Sequence, residues 1–228
     1  IKKFLKGDRG RLSSIYFFAA DAAHLPVRSG CADAVLTVRV VHHLDDPEKY
    51  FNEVARVLRS NGIYFLEFAN KRNLKNILRN LVGKMDTSPF NLVPSQVGET
   101  ILNFHPKYII STLKNRKFTI KKLISVSNFR LSMLKRFPGT KTLVFFEKLY
   151  QAFTPFVLLG PSVFIKSIFS EQKLEKTCNK PKVTLKDIVL CPSCRKQVLI
   201  FKKSMIKCRQ CKSTFKLKDG IYDFRINT

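Results

Sequence analysis

Residues 15–68 decide the fold, and they read IYFFAADAAHLPVRSGCADAVLTVRVVHHLDDPEKYFNEVARVLRSNGIYFLEF. Apolar runs at 15–19, 33–38 and 63–68 predict three short strands, and an amphipathic segment between the second and third predicts a helix. Strands that alternate with helices indicate an α/β fold with a parallel sheet. Polar side chains follow the strands, and open α/β sheets bind ligands at that edge. The stretch therefore predicts a ligand site.

The helix between the last two strands has recognisable ends. Asp46 is a good N-cap, and Pro47 suits the first helical position. Apolar residues recur at spacings of three and four, which gives the helix one face to bury against the sheet. Gly62 is expected to end the helix in a left-handed conformation.

Two sets of side chains at this edge are candidates for chemistry. Asp21 ends the first strand, where its carboxylate and the N–H of Ala22 suit an adenine edge; the plainer alternative is that Asp21 caps a turn. His42 and His43 follow the second strand. A histidine there suits a general base near neutral pH, and it suits a packed structural residue equally well.

The formal charge of +26 is unevenly distributed. Residues 1–67 carry a net charge of +2, whereas residues 68–141 carry +13 and residues 171–228 carry +10. This pattern suits a polyanionic partner such as RNA or an anionic membrane surface, and a lysine-rich solvated surface is the alternative. The hydrophobic content of 45% excludes a disordered chain.

The C-terminal cysteines form two C-x-x-C pairs, at Cys191 and Cys194 and at Cys208 and Cys211. Two such knuckles supply four thiolates for a tetrahedral ion, so a structural zinc site is predicted; redox-active dithiols are the alternative. Residues 185–228 are too few to fold alone without such a staple. Cys31 and Cys178 stand apart and are expected to be plain thiols in a reducing cytoplasm.

The motifs of residues 21–68 resemble class I S-adenosylmethionine-dependent methyltransferases, and within them the quinone-biosynthesis group. These motifs are Asp21-Ala-x-x-Leu-Pro, the strand after Asp33, Val-His-His43-Leu-x-Asp-Pro, and Glu53-x-x-Arg-Val-Leu-x-x-x-Gly. The resemblance implies that Asp21 and Ala22 contact the adenine of S-adenosylmethionine. It implies that Val38 or Arg39 faces the methionine end of the cofactor. His43, from its position after the second strand, is the candidate for an optional catalytic base.

Two parts of that family's cofactor site have no counterpart in this sequence, namely the glycine-rich loop and the acidic residue that holds the ribose. Both should precede residue 15, so an N-terminally truncated fragment is expected, inactive alone; a degenerate, non-catalytic descendant is the alternative. The expected fold is the C-terminal part of a Rossmann-like methyltransferase sheet. The expected domains are residues 1–170, a linker at 171–184, and a zinc ribbon at 185–228 that resembles the small proteins that activate methyltransferases.

The methyl acceptor is open between RNA, slightly favoured by the charge, and a small or lipid-like molecule. A basic amphipathic helix at 71–79 is expected to form part of a lid that suits a phosphate-bearing acceptor, or else a solvated helix face. The phenylalanine-rich insertion at 128–160 is expected to form extra core, an acceptor pocket or a membrane-surface helix. No run is long enough to span a bilayer, and membrane contact takes second place to RNA.

Overall fold

A computed structural model describes residues 15–98, 101–126, 139–153, 158–171 and 184–226. The chain divides into two compact units. The first, called here the ribbon unit, combines Ile1–Cys31 with Lys176–Thr228, and the second, the sheet unit, is Ala32–Glu175. The predicted domain boundaries remain a prediction for the protein as a whole, but residues 15–31 contribute to the ribbon unit.

The described helices and strands are listed here in chain order. They are β1 Phe17–Ala19, β2 Ala32–Thr37, α1 Pro47–Val57, β3 Leu58–Ala69, α2 Leu74–Leu81, β4 Ser95–Val97, β5 Ile101–Asn103, α3 Pro106–Asn115, β6 Phe118–Val126, α4 Gly139–Phe153, β7 Ser162–Phe169, α5 Leu185–Ile188, β8 Leu199–Phe201, β9 Met205–Cys208, β10 Thr214–Lys218 and β11 Ile221–Asp223.

The sheet unit contains a four-stranded sheet in the order β2-β3-β7-β6. β2 and β3 are parallel, while β7 runs antiparallel to β3 and to β6. The parallel pair joined by α1 confirms the predicted α/β fold, and the antiparallel strands β7 and β6 complete the sheet. Val54, Tyr64, Leu66 and Phe68 are among the buried core residues of this unit.

The N-terminal end of α1 forms as predicted. The side chain of Asp46 accepts a hydrogen bond from the N–H of Lys49 at 3.0 Å, and Pro47 occupies the first turn. The expected role of Gly62 is wrong. Asn61 adopts the left-handed conformation, with φ 61°, whereas a Cβ on Gly62 would lie 2.8 Å from the carbonyl oxygen of Arg59. Gly62 is therefore required for close packing of the backbone.

The ribbon unit contains a five-stranded sheet in the order β1-β11-β10-β9-β8. β1 was expected in the parallel sheet with β2, but it pairs in parallel with β11. The reason is aromatic packing: the Phe18 ring lies 5.9 Å from that of Tyr222 and 5.6 Å from that of Phe224, which is fully buried. Residues 26–28 are also tied to the ribbon, because the N–H of Arg28 donates to the carbonyl of Ile188 at 2.8 Å.

Three other expectations have partial outcomes. Cys31 is disulfide-bonded, so a plain thiol is wrong for it, while Cys178 and linker residues 172–183 lie outside the described residues. In the insertion, only 139–153 and 158–160 are described, and Val144, Phe145 and Leu149 are exposed on α4 and do not form core. Among the described residues, no helix has the length and apolar character needed to cross a bilayer.

Candidate functional site

The carboxyl ends of β2 and β3 lie at the same edge of the sheet, because the two strands are parallel and Thr37 is in register with Leu66. Val38, Arg39 and Val40 follow β2 and are exposed. A 3-10 turn, Val41–His43, comes next. The structure thus brings the predicted residues Val38, Arg39 and His43 together at one edge.

Arg39 is held in an uncommon backbone conformation at this edge. Its φ is 57°, in the left-handed region, which disfavours residues with a side chain by about 1–2 kcal/mol. The backbone N–H of Arg39 donates a hydrogen bond to Oε2 of Glu67 at 2.8 Å. The hydroxyl of Ser162 donates a hydrogen bond to the other carboxylate oxygen, Oε1. Glu67 therefore ties the loop after β2 to strands β3 and β7.

Glu67 is a functional candidate that the sequence reasoning missed. Its side chain is buried near the C-terminal end of β3, in an apolar run. Burial of a carboxylate requires hydrogen-bond donors. A single charged residue in the run Ile-Tyr-Phe-Leu-Glu-Phe was the available signal.

The two histidines lie against one another. The ring centroids of His42 and His43 are 4.2 Å apart. Burial lowers the pKa of His42, and nearby His43 lowers it further, while the Glu67 carboxylate acts in the opposite direction. Nδ1 of His42 is buried without a hydrogen-bond partner among the described residues. His43 is exposed, so of the two rings it is the more accessible to solvent.

Two buried polar side chains follow β3 and bind nearby loops. Asn70 is buried, and its side-chain amide donates to the carbonyls of Leu158 and Gly160 at 3.0 and 2.8 Å. Lys71 is also buried; its Nζ donates to the carbonyl of Val93 at 2.6 Å, and burial lowers its pKa. Because Lys71 is buried, it is not one of the exposed cations expected in a lid formed by residues 71–79.

Asp21 and Ala22 lie in the ribbon unit, after β1. The carboxylate of Asp21 accepts a hydrogen bond from the N–H of Ala23 at 2.9 Å and contacts Nδ1 of His24 at 2.6 Å. The carbonyl of Asp21 accepts from the N–H of His24 at 3.0 Å. These are the contacts of a capped turn. The adenine-binding role of Asp21 and Ala22 remains a prediction.

The four predicted cysteines converge on one point of the ribbon unit. The Sγ atoms of Cys191, Cys194, Cys208 and Cys211 all lie within 4.8 Å of one another. Two of the Sγ pairs are 3.6 Å apart. A tetrahedral ion with Zn–S bonds of about 2.3 Å would put its sulfurs about 3.8 Å apart. The thiols therefore fit a metal such as zinc, although zinc itself remains a prediction.

The two knuckles share one backbone geometry. The residue after each second cysteine is left-handed, with φ 60° at Arg195 and 64° at Lys212. The N–H of Cys191 donates to the carbonyl of Lys196 at 3.0 Å, and the N–H of Cys208 donates to that of Ser213 at 2.9 Å. Because both turns repeat the same hydrogen bond, the four sulfurs are arranged by the backbone.

Comparison with known protein families gives a match that overlaps residues 15–68. Residues 2–66 match the model of a methyltransferase domain family. The match confirms the methyltransferase resemblance over the segment that contains Asp21, Arg39 and His43. It covers less than a third of the 228 residues. No curated protein matches the chain.

Three solved structures are similar to the chain at low sequence identity. One, from Thermotoga maritima, is an S-adenosylmethionine-dependent methyltransferase described as a possible histamine N-methyltransferase; it is 15% identical, with 73% of this chain and 70% of that chain covered and a TM-score of 0.45. Another is a complex of the Trm112 methyltransferase activator and a methyltransferase from Haloferax volcanii, at 11% identity, 68% and 61% coverage and a TM-score of 0.42. The third is an S-adenosylmethionine-dependent methyltransferase from Listeria monocytogenes. It is 16% identical, with 66% of this chain and 67% of that chain covered and a TM-score of 0.43. The chain thus spans less than two thirds of the chain matched in the Haloferax complex, and we draw no functional conclusion from these similarities.

Proposed function

We propose that this chain is part of an S-adenosylmethionine-dependent methyltransferase and that the edge formed by β2 and β3 is one wall of its active site. The observation that carries the proposal is the left-handed turn at Arg39, tethered to Glu67, inside the stretch that matches a methyltransferase domain. Val38 and Arg39 would contact the methionine end of the cofactor. Asp21 and Ala22 would contact its adenine.

The proposed reaction requires mainly correct positioning. The cofactor supplies a methyl group on a sulfonium, and an acceptor nucleophile attacks it in line, which favours an enzyme that fixes the two partners in position. His43 is exposed beside this wall, where it would take the proton that the acceptor loses. His42 is partly buried and has a lowered pKa, so we assign it a structural role in holding His43.

The free edge of β2 supports a site that further strands complete. Within the described sheet, β2 is an edge strand. Leu36 on this strand is 70% exposed. Apolar strands of parallel sheets are normally covered on both faces. We propose that strands outside the described residues add to β2 and supply the rest of the cofactor site, so that the described residues alone do not methylate.

The proposed acceptor is RNA, with a small or lipid-like molecule as the competing class. Support comes from the strong positive charge of residues 68–141 and 171–228. The test incubates the gene's full product with methyl-labelled cofactor and either total RNA or a lipid extract. Label in RNA that falls at least about tenfold with His43→Ala supports both assignments. Label in the lipid fraction would overturn the acceptor, and label in neither would overturn the reaction.

A non-catalytic zinc-ribbon adaptor is the second candidate. It is favoured by the Asp21 carboxylate, which is already engaged by Ala23 and His24, and by the fully assembled four-cysteine cluster. In this case the ribbon would bind zinc and stabilise a separate methyltransferase. Cofactor binding that is unchanged by Asp21→Asn and by Arg39→Ala would favour the adaptor.

A further inference from the structure

The apolar side of α2 faces solvent. Leu74, Leu78, Leu81 and Val82 are 50%, 54%, 73% and 64% exposed. No residue of the helix is buried. An amphipathic helix in a globular protein normally packs its apolar side against the core, as α1 does with Phe51 and Val54. The exposed side of α2 is therefore a surface that requires an explanation.

The loop after α2 extends this surface. Phe90, Leu92 and Val93 are each about half exposed or more. Lys71 fastens the loop to the start of α2 through the carbonyl of Val93. The guanidinium carbon of Arg72 lies 5.8 Å from the centre of the Phe90 ring. We call the seven apolar side chains the α2 patch; they are Leu74, Leu78, Leu81, Val82, Phe90, Leu92 and Val93.

Basic side chains border the α2 patch. Lys75 and Arg79 lie one turn apart on α2, next to the leucine stripe, and both are exposed. Arg72 and Lys84 stand before and after the helix and are exposed too. Residues 68–98 contain one acidic residue, Asp86, against five lysines and arginines. The patch is thus apolar at its centre and positively charged around it.

We propose that the α2 patch binds the surface of a membrane that contains anionic lipid. Helices that lie in a membrane interface combine an apolar face with Lys and Arg beside it, and they gain affinity from both buried apolar area and attraction to acidic headgroups. RNA is a poorer occupant, because bases stack on aromatic side chains and six of the seven patch residues are aliphatic. The helix is about 12 Å long, so it lies on a membrane and does not cross it.

This inference goes beyond the proposed methyl transfer and does not depend on it. The sequence alone gave membrane contact second place and located it in the insertion at 128–160. Exposure of α2 is the new observation, and it assigns the contact to a different helix.

The test is co-sedimentation of the 228-residue chain with two kinds of vesicle, phosphatidylcholine alone and phosphatidylcholine mixed with phosphatidylserine. We expect binding to the anionic vesicles, weakened by salt. Leu78→Asp with Leu81→Asp, and separately Lys75→Glu with Arg79→Glu, should each weaken it by about tenfold or more. Circular dichroism and thermal melting would verify that the variants fold.

Two control variants match these changes elsewhere on the sheet unit. Lys121→Glu with Lys122→Glu makes the same charge change on exposed residues of β6, and Val144→Asp with Leu149→Asp introduces two acids at exposed apolar residues of α4. Both should bind vesicles as the unmodified chain does. The proposal is overturned if neither kind of vesicle is bound, if the leucine variant binds as tightly as the unmodified chain, or if the controls lose as much affinity. It is also overturned if the α2 variants lose RNA binding while vesicle binding stays.

Discussion

The backbone N–H of Arg39 lies 2.8 Å from Oε2 of Glu67, and this hydrogen bond joins the loop after β2 to the end of β3. It satisfies a buried carboxylate and at the same time stabilises a backbone conformation that arginine disfavours. The proposed cofactor wall depends on this loop, so the contact links stability to function.

Replacement of Glu67 should therefore destabilise the sheet unit. In Glu67→Gln, the amide removes the negative charge from the bonds to Arg39 and Ser162, and we expect the free energy of unfolding to fall by about 1–3 kcal/mol. Urea denaturation followed by circular dichroism measures this. Asp45→Asn changes an exposed carboxylate and should have almost no effect; an equal loss in both variants would contradict the account.

Replacement of Arg39 by glycine, in contrast, should not lower the free energy of unfolding. Glycine adopts a positive φ without steric cost, although it loses more conformational entropy on folding. We expect Arg39→Gly to leave stability unchanged or raise it by up to about 1 kcal/mol. Arg39→Val should lower it, because a β-branched residue disfavours a positive φ more strongly than arginine does. Thermal melting of the two variants gives the comparison. If the valine variant were as stable as the glycine variant, the loop would not be held in the left-handed conformation.

The lowered pKa of His42 predicts a pH dependence of stability. Above the ordinary value of 6.5 the imidazole is neutral in both the folded and the unfolded chain, so it adds no dependence there. As the pH falls below that value, the unfolded chain binds the proton first, and the folded state loses stability until the pH passes the folded pKa. His42→Leu should flatten this part of the curve. An unchanged slope between pH 6.5 and more acidic values would refute the burial of His42.

Aromatic packing predicts that β1 supports the ribbon unit. Phe18→Ala removes a ring that contacts Tyr222 and Phe224, and a loss of about 2–4 kcal/mol is expected. Hydrogen exchange should show lower protection of the Ile221–Asp223 amides than in Tyr16→Ala, which removes a ring that is 40% exposed. Equal protection in both variants would show that β1 does not support the ribbon unit.

Metal removal should unfold the ribbon. We expect one zinc ion per chain by elemental analysis, and none after Cys208→Ser. A chelator should then abolish amide protection at Ile206 and Phe215, because a core this small depends on the metal. Lys203→Ala, in the turn between β8 and β9, should retain the ion. A folded, metal-free ribbon would contradict the zinc assignment.

Features that depend on neighbouring residues were predictable from the sequence. The Asp46–Pro47 start of α1 and the two cysteine knuckles are local patterns, and each forms as expected. The partner of β1 was not predictable, because a three-residue strand carries little information about a strand about 200 residues away. The Arg39–Glu67 bond and the burial of Lys71 were missed for a related reason: both depend on strand register and on loops that meet only in the folded chain.

Titration of the 228-residue chain with S-adenosylhomocysteine, followed through backbone amide chemical shifts, would determine whether the loop at Arg39 binds the cofactor. We expect shifts at Val38, Arg39, His42 and His43 and at Asp21 and Ala22, with a dissociation constant of about a millimolar or weaker, since our proposal assigns part of the cofactor site to strands outside the described residues. Shifts that avoid Arg39, or micromolar binding by this chain alone, would contradict it.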